Sequence, residues 1–258
     1  MGGLTGLKGH GEVAEAFARL DTGGRAAALI LNGNRPFAFA PPAPQGHAAG
    51  RILDRALAAL REEGLRALYR RAQALLARKI QERSFPREAS GGFAWTLLRC
   101  LGITPPPRYW VDRANRQPAK TVFFVDLPRS ELVQAFMAAD LFVFASHIEY
   151  SPLVLFESAA AGTPFLSVPV GNAEEIARWT GGGLICPARI DARGYTRVDP
   201  RVLAVEMRRA MDNPQLLADM GAAARASWSR HFTWDTIARY YEAVLRGAPV
   251  AVGATLPG

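Results

Sequence analysis

The stretch Glu149-Tyr-Ser-Pro-Leu-Val-Leu-Phe-Glu-Ser-Ala-Ala-Ala-Gly-Thr-Pro164 limits what this chain can fold into more than any other. An apolar run, Leu141-Phe-Val-Phe-Ala145, leads into two carboxylates, Glu149 and Glu157, with seven residues between them. Pro152 suits the first turn of a helix, because its φ is already helical and its missing N–H would have had no partner there. Gly162 is a stop signal and Pro164 lies just beyond it. The spacing therefore predicts a strand, then a helix from about Pro152 to Ala161, with Glu149 at the strand end and Glu157 on the helix. Backbone N–H groups near Leu153 and Val154 would point out of the helix N-terminus, where they and the helix dipole favour an anion such as phosphate. Two carboxylates then flank an anion site, an arrangement suited to a nucleotide sugar: amides for the diphosphate, carboxylates for sugar or ribose hydroxyls. The alternative is an ordinary βαβ unit whose Glu149 and Glu157 are solvated or cap helix ends.

The surrounding chain supplies a setting for such a unit. Glycine-rich residues 2–10 precede a helix pattern in which Val13, Ala16, Phe17 and Leu20 share one face, and Ala26 to Leu31 reads as a short buried strand. Thr121 to Val125 and Phe165 to Val168 are further strands. Ser130 is the expected polar cap of the helix carrying Leu132, Phe136 and Met137, and Asp199 with Pro200 opens another helix. Strands alternating with helices predict an α/β domain with a doubly wound parallel sheet, in which ligands bind outside the carboxyl ends of the strands. This domain is expected to comprise residues 1–34 and 121–258. Residues 35–120 exceed an ordinary crossover and read as a basic, mainly helical insertion. Of the 31 Lys and Arg against 23 Asp and Glu, residues 45–120 hold 15 against 6, so the excess charge belongs to that segment.

The string from Glu149 to Pro164 (Glu, seven residues, Glu, small residues, Gly, x, Pro) resembles the donor-site signature of GT-B fold retaining glycosyltransferases of the group 1, or family 4, type. Asp140-Leu-Phe-Val-Phe-Ala-Ser146 resembles the strand before that signature. Lys8-Gly9 resembles the Lys-Gly that ends the first loop of the carboxyl-terminal domain, and Thr233 to Leu245 the terminal helix. The resemblance covers about residues 1–33 and 121–246. It implies the Rossmann-like, nucleotide-sugar-binding half of a GT-B enzyme that transfers a sugar to an unknown acceptor with retention. No cofactor and no metal are implied, the nucleotide sugar being the substrate. Glu157 would bind ribose hydroxyls and Glu149 would meet the transferred sugar. Lys8, with the Leu153 and Val154 amides, would stabilise the departing diphosphate. Gly171 and Asn172 would bring backbone close to the sugar, although Asn172 serves equally well as a helix cap. Gly3 stands where the family has a second phosphate-binding cation. An amino-terminal Rossmann domain is not recognisable, so the resemblance points to a separate domain or subunit for the acceptor.

Other readings stay open at this level. The chain also suits a non-catalytic module binding a nucleotide, a membrane face or another subunit, or an incomplete gene product. The basic insertion can lie on an anionic membrane surface, contact acidic glycans, or pack one face and solvate the other. Nucleic acid is disfavoured, because Trp95, Tyr109 and Trp110 cluster apart from the Arg-rich helix. Cys100 and Cys186 have no metal-ligand spacing and are expected to be packing residues. With no run of about 18 apolar residues and no signal-peptide pattern, the expected location is cytoplasmic, peripheral membrane contact included.

Overall fold

The computed structural model describes residues 7–33 and 107–247. By internal contacts the chain divides into two units, Met1–Asn34 with Trp110–Gly258, and Arg35–Tyr109. Apart from residues 107–109, the described elements belong to the first. Gly3, the expected helices between Arg51 and Ile80, Cys100 and the tail from Ala248 lie outside the described residues.

Helix α1, His10–Arg19, starts from Gly9, which has φ of 73°. Its expected apolar stripe is buried at Val13, Ala16 and Phe17. Strand β1, Ala27–Asn32, pairs in parallel with β2, Lys120–Val125, from Ala27 opposite Lys120 to Asn32 opposite Val125. Helix α2, Pro107–Asn115, precedes β2. Its buried Trp110 lies beneath the Arg19 guanidinium, 4.8 Å from the ring centroid. Gln117 Nε2 and Lys120 Nζ donate to the Ala18 carbonyl at 2.9 and 3.1 Å, so the end of α1 is satisfied from the β2 side. Burial pushes the Lys120 amine below its usual range.

The second parallel set is β3 (Phe142–Phe144), β4 (Phe165–Ser167) and β5 (Gly183–Ile185), with β4 in the centre. The expected parallel α/β architecture is therefore present, as a two-stranded and a three-stranded hydrogen-bonded set. Helices α3 (Arg129–Ala138), α4 (Leu153–Ala161) and α5 (Ala173–Thr180) alternate with these strands. Phe165, Leu166, Leu155 and Ile176 form the fully buried centre, each contributing about 1.5–3 kcal/mol by leaving water. A short antiparallel ribbon, β6 (Arg189–Ile190) with β7 (Thr196–Arg197), follows β5.

Three helices complete the chain. The Asp199 side chain caps α6, Pro200–Met211, by accepting from Arg201 N–H, with Pro200 in the first turn as expected. Helix α7, Pro214–His231, packs on α4 and α5. Thr233 caps α8, Trp234–Leu245, which exposes Trp234, Tyr241, Val244 and Leu245. Ser130 differs from expectation. The helix cap falls at Pro128, in extended conformation, and no side chain caps α3; Ser130 lies within its first turn. Among the described residues no helix is long and apolar enough to cross a membrane.

Candidate functional site

Local backbone chemistry sets the limits of α4. Pro152 occupies the cap position with φ of −74°, the helix runs Leu153–Ala161, and Gly162 ends it with φ of 78°. Leu155, Ser158 and Ala159 face the core and are fully buried. Leu153 and Glu157, one turn apart, lie on the other side, with Leu153 63% exposed. The N–H groups of Leu153 and Val154 belong to the first turn, where an α-helix offers no internal acceptor.

Glu149 comes from the segment that follows β3. Its Oε1 accepts from the Ser146 hydroxyl at 3.0 Å and forms an ion pair with Lys8. Lys8 and Glu149 lie 141 positions apart, and the side chains are 31% and 17% exposed. Two close backbone approaches fix this meeting. A Cβ on Gly9 would run into the Ala145 carbonyl oxygen, so the Lys8 turn can press on the end of β3 only with glycine there. On the other side Gly171, with φ of 56°, lies against the carbonyls of Glu149 and Tyr150 with no room for a side chain. Asn172 N–H donates to the Tyr150 carbonyl at 3.1 Å.

Asn172 holds the cap position of α5, yet its side chain makes no cap hydrogen bond. Its Oδ1 is buried without a hydrogen-bond partner. Of the two sequence readings, helix cap or ligand contact, the cap bond is thus not made. Tyr150, beside Glu149, is 92% exposed.

Glu157 has its own cation. Arg129, the first residue of α3, donates from Nη1 to Glu157 Oε1 at 2.7 Å, with side chains 69% and 36% exposed. The sequence does not mark the Arg129 side chain: the loop Asp126 to Arg129 lies at a carboxyl strand end, and the family resemblance gives it a contact with the nucleobase largely through backbone. The structure thus brings Lys8 to Glu149 and Arg129 to Glu157, and places Gly171 and Asn172 against the Glu149–Tyr150 backbone.

A second polar network adjoins the first. His147 Nε2 lies 2.7 Å from Glu12 Oε1, and Arg197 Nη1 lies 2.8 Å from His147 Nδ1. Burial on its own would raise the Glu12 carboxyl, but the hydrogen bond from His147, a backbone N–H and the Arg197 charge outweigh it. The carboxyl is held below its usual range. His10, whose Nε2 lies 3.2 Å from the Asn32 carbonyl oxygen, is pushed below the usual imidazole range mainly by burial. Cys186 is buried as a packing residue, and burial pushes its thiol up to about 11. Among the described residues no three His, Cys, Asp or Glu side chains converge as a metal site.

Residues 113–227 match the family model described as glycosyl transferases group 1. That span includes Glu149, Glu157, Gly171 and Asn172; Lys8 lies outside it. Glycogen synthase of Mycobacterium tuberculosis (strain ATCC 25618 / H37Rv) is 32% identical over 158 residues, covering 59% of this chain and 36% of that protein. D-inositol 3-phosphate glycosyltransferase of Thermobispora bispora is 33% identical over 130 residues, 50% of this chain and 28% of that protein. The chain therefore spans about a third of the length of the curated relatives it matches. Among solved structures, sucrose-phosphate synthase from Thermosynechococcus elongatus aligns with a TM-score of 0.51 at 18% identity, over 96% of this chain and 44% of that one. A glycosyltransferase from Rickettsia africae aligns with a TM-score of 0.50 at 14% identity, over 95% and 46%. These neighbours share the fold.

Proposed function

We propose, for a chain whose residues 113–227 match the glycosyl transferases group 1 model, a nucleotide-sugar-binding half that serves transfer of the sugar to an acceptor with retained anomeric configuration. The observation that carries the reading is the meeting of Lys8 with Glu149, 141 positions away, in the segment leading to the first turn of α4. In this reading Lys8 and the Leu153 and Val154 amides take the charge of the departing diphosphate, the type of electrostatic stabilisation that lowers a barrier most. Glu149 faces the transferred sugar, Glu157 holds the ribose hydroxyls, and Gly171 and Asn172 bring backbone and an unpaired oxygen to the sugar. The reaction needs no metal. The acceptor site belongs to a separate domain or subunit, and the location is cytoplasmic, with an anionic membrane surface as a further partner.

Calorimetric titration of the purified chain with UDP-, GDP- and ADP-sugars tests the reading. Glu157→Ala removes charge-assisted hydrogen bonds and is expected to weaken binding by about 1.5–3 kcal/mol, roughly tenfold to a hundredfold. A folded chain that bound none of these donors would end the proposal. A second reading, a non-catalytic interaction module, draws on the exposed apolar residues of α8. It gains if donors fail to bind while the chain self-associates or floats with anionic liposomes.

A further inference from the structure

His147 is 4% exposed and has no part in the donor reading. Its backbone N–H donates to the Leu7 carbonyl at 2.7 Å, and its carbonyl accepts from Thr196 N–H at 2.8 Å. On the ring, Nδ1 meets Arg197 Nη1 at 2.8 Å and Nε2 meets Glu12 Oε1 at 2.7 Å. A guanidinium can only donate, so Nδ1 is the acceptor and the ring proton sits on Nε2, donating to Glu12. Arg197 is itself anchored, its Nε donating to Asp191 Oδ2 at 2.9 Å. The orientation and the tautomer of the ring are thus fixed from two sides.

The position of this ring matters more than its burial. Leu7, to which His147 bonds, is the neighbour of Lys8. Ser146, the residue before His147, donates to Glu149 Oε1 and lies 3.2 Å from the Leu7 carbonyl. Glu12 belongs to α1, which the Lys8 turn begins, and Arg197 belongs to β7. The imidazole therefore joins α1, the ribbon and the β3 end at the place where Lys8 meets Glu149. Nothing in the donor chemistry calls for a histidine there; the joining does.

We propose that His147 is a positioning residue: held between Glu12 and Arg197, it sets the Lys8 turn against the Glu149 segment and so maintains their ion pair. The functional meaning of that pair rests on the donor-site reading, but the test does not require sugar transfer. The chain has three lysines, Lys8, Lys79 and Lys120, so competitive amine labelling of the full chain without ligand, read by mass spectrometry, resolves each. Glu149→Gln should free Lys8 and raise its labelling several-fold. His147→Phe fills the ring volume without the nitrogens and should give the same rise, with the buried Lys120 unchanged and no further rise when the two are combined. Glu12→Gln retains an oxygen that accepts from Nε2 and should leave Lys8 close to the natural rate, whereas Glu12→Ala should free it. Should His147→Phe fail to fold, the two Glu12 variants decide alone. Lys8 unchanged in His147→Phe or Glu12→Ala, Glu12→Gln as damaging as Glu12→Ala, or Lys120 rising with Lys8 would each overturn the proposal. Protection of Lys8 by added UDP, GDP or ADP reports on the donor reading separately. Its absence in the natural chain would remove that reading and leave the result on His147 standing.

Discussion

The two ion pairs of the candidate site have the same chemistry and different surroundings. Lys8 and Glu149 are 31% and 17% exposed and are braced by Ser146, by the Gly9 turn against Ala145 and by Gly171 against the Glu149 carbonyl. Arg129 and Glu157 are 69% and 36% exposed, and join two helix side chains across a surface. An exposed pair contributes little, because water and salt screen it and two long side chains must be ordered. A half-buried pair with fixed backbone on both sides gains more, and breaking one partner leaves the other poorly solvated. The first pair is thus part of the fold, while the second is a contact that a ligand can displace at little cost.

The largest effect should come from removing the close approach on which the first pair depends. Gly9→Ala combines positive-φ strain with overlap on the Ala145 carbonyl and should lower the unfolding free energy by about 3 kcal/mol or more. Gly24→Ala sharpens the comparison. Its φ is 80° but nothing lies within 4 Å of the added carbon, so about 1 kcal/mol of strain is expected in the same denaturant melts. An equal loss at both glycines would mean that the approach to Ala145 is unimportant. Glu149→Ala leaves Lys8 without its partner and turns the Ser146 hydroxyl to the Leu7 or Ile148 carbonyl, and should cost about 1–2 kcal/mol in urea unfolding. An unchanged midpoint would reduce this pair to the rank of the other.

Acid should act through Glu12, which supports the first pair by way of His147. The folded state holds this carboxyl below its ordinary 4.5, so its contribution is present above that value and is lost as the pH falls through the depressed one. The stability of Glu12→Gln should therefore fall less steeply on acidification than that of the natural chain. Parallel profiles would contradict the sign. Arg129→Ala should give the smallest change, within about 0.5 kcal/mol and shrinking further as salt is added. A larger loss would show that exposure misjudges the second pair.

Much of the fold was legible where residues act through their own backbone. Pro152 and Gly162 mark the ends of α4, and Asp199 with Pro200 the start of α6, because fixed φ, a missing N–H, left-handed tolerance and a local side-chain acceptor need no knowledge of the tertiary structure. Ser130 misled for the converse reason. A polar residue near a helix start is a cap only if the helix begins just after it, and α3 begins at Arg129, next to Pro128. In the candidate site, Gly171 could be read as a positive-φ glycine, but not that the backbone it approaches belongs to Glu149 and Tyr150. The pairing of Lys8 with Glu149, of Arg129 with Glu157 and of Glu12 with His147 was illegible, since these partners lie 141, 28 and 135 positions apart. Sheet topology brings them together, and no periodicity along the chain records it.

That topology also bears on how the molecule forms. β1 and β2 lie side by side, with Ala27 opposite Lys120, although roughly ninety residues of chain separate them. Closing so long a loop costs about 2 kcal/mol more than closing an ordinary twelve-residue crossover, and contacts so distant in sequence form late and slow a folding reaction. α1 and β1 are therefore expected to dock last, onto a nucleus already assembled around β4. A peptide spanning residues 7–33, added to a chain that lacks it, should then rejoin the sheet at a rate that depends on its concentration.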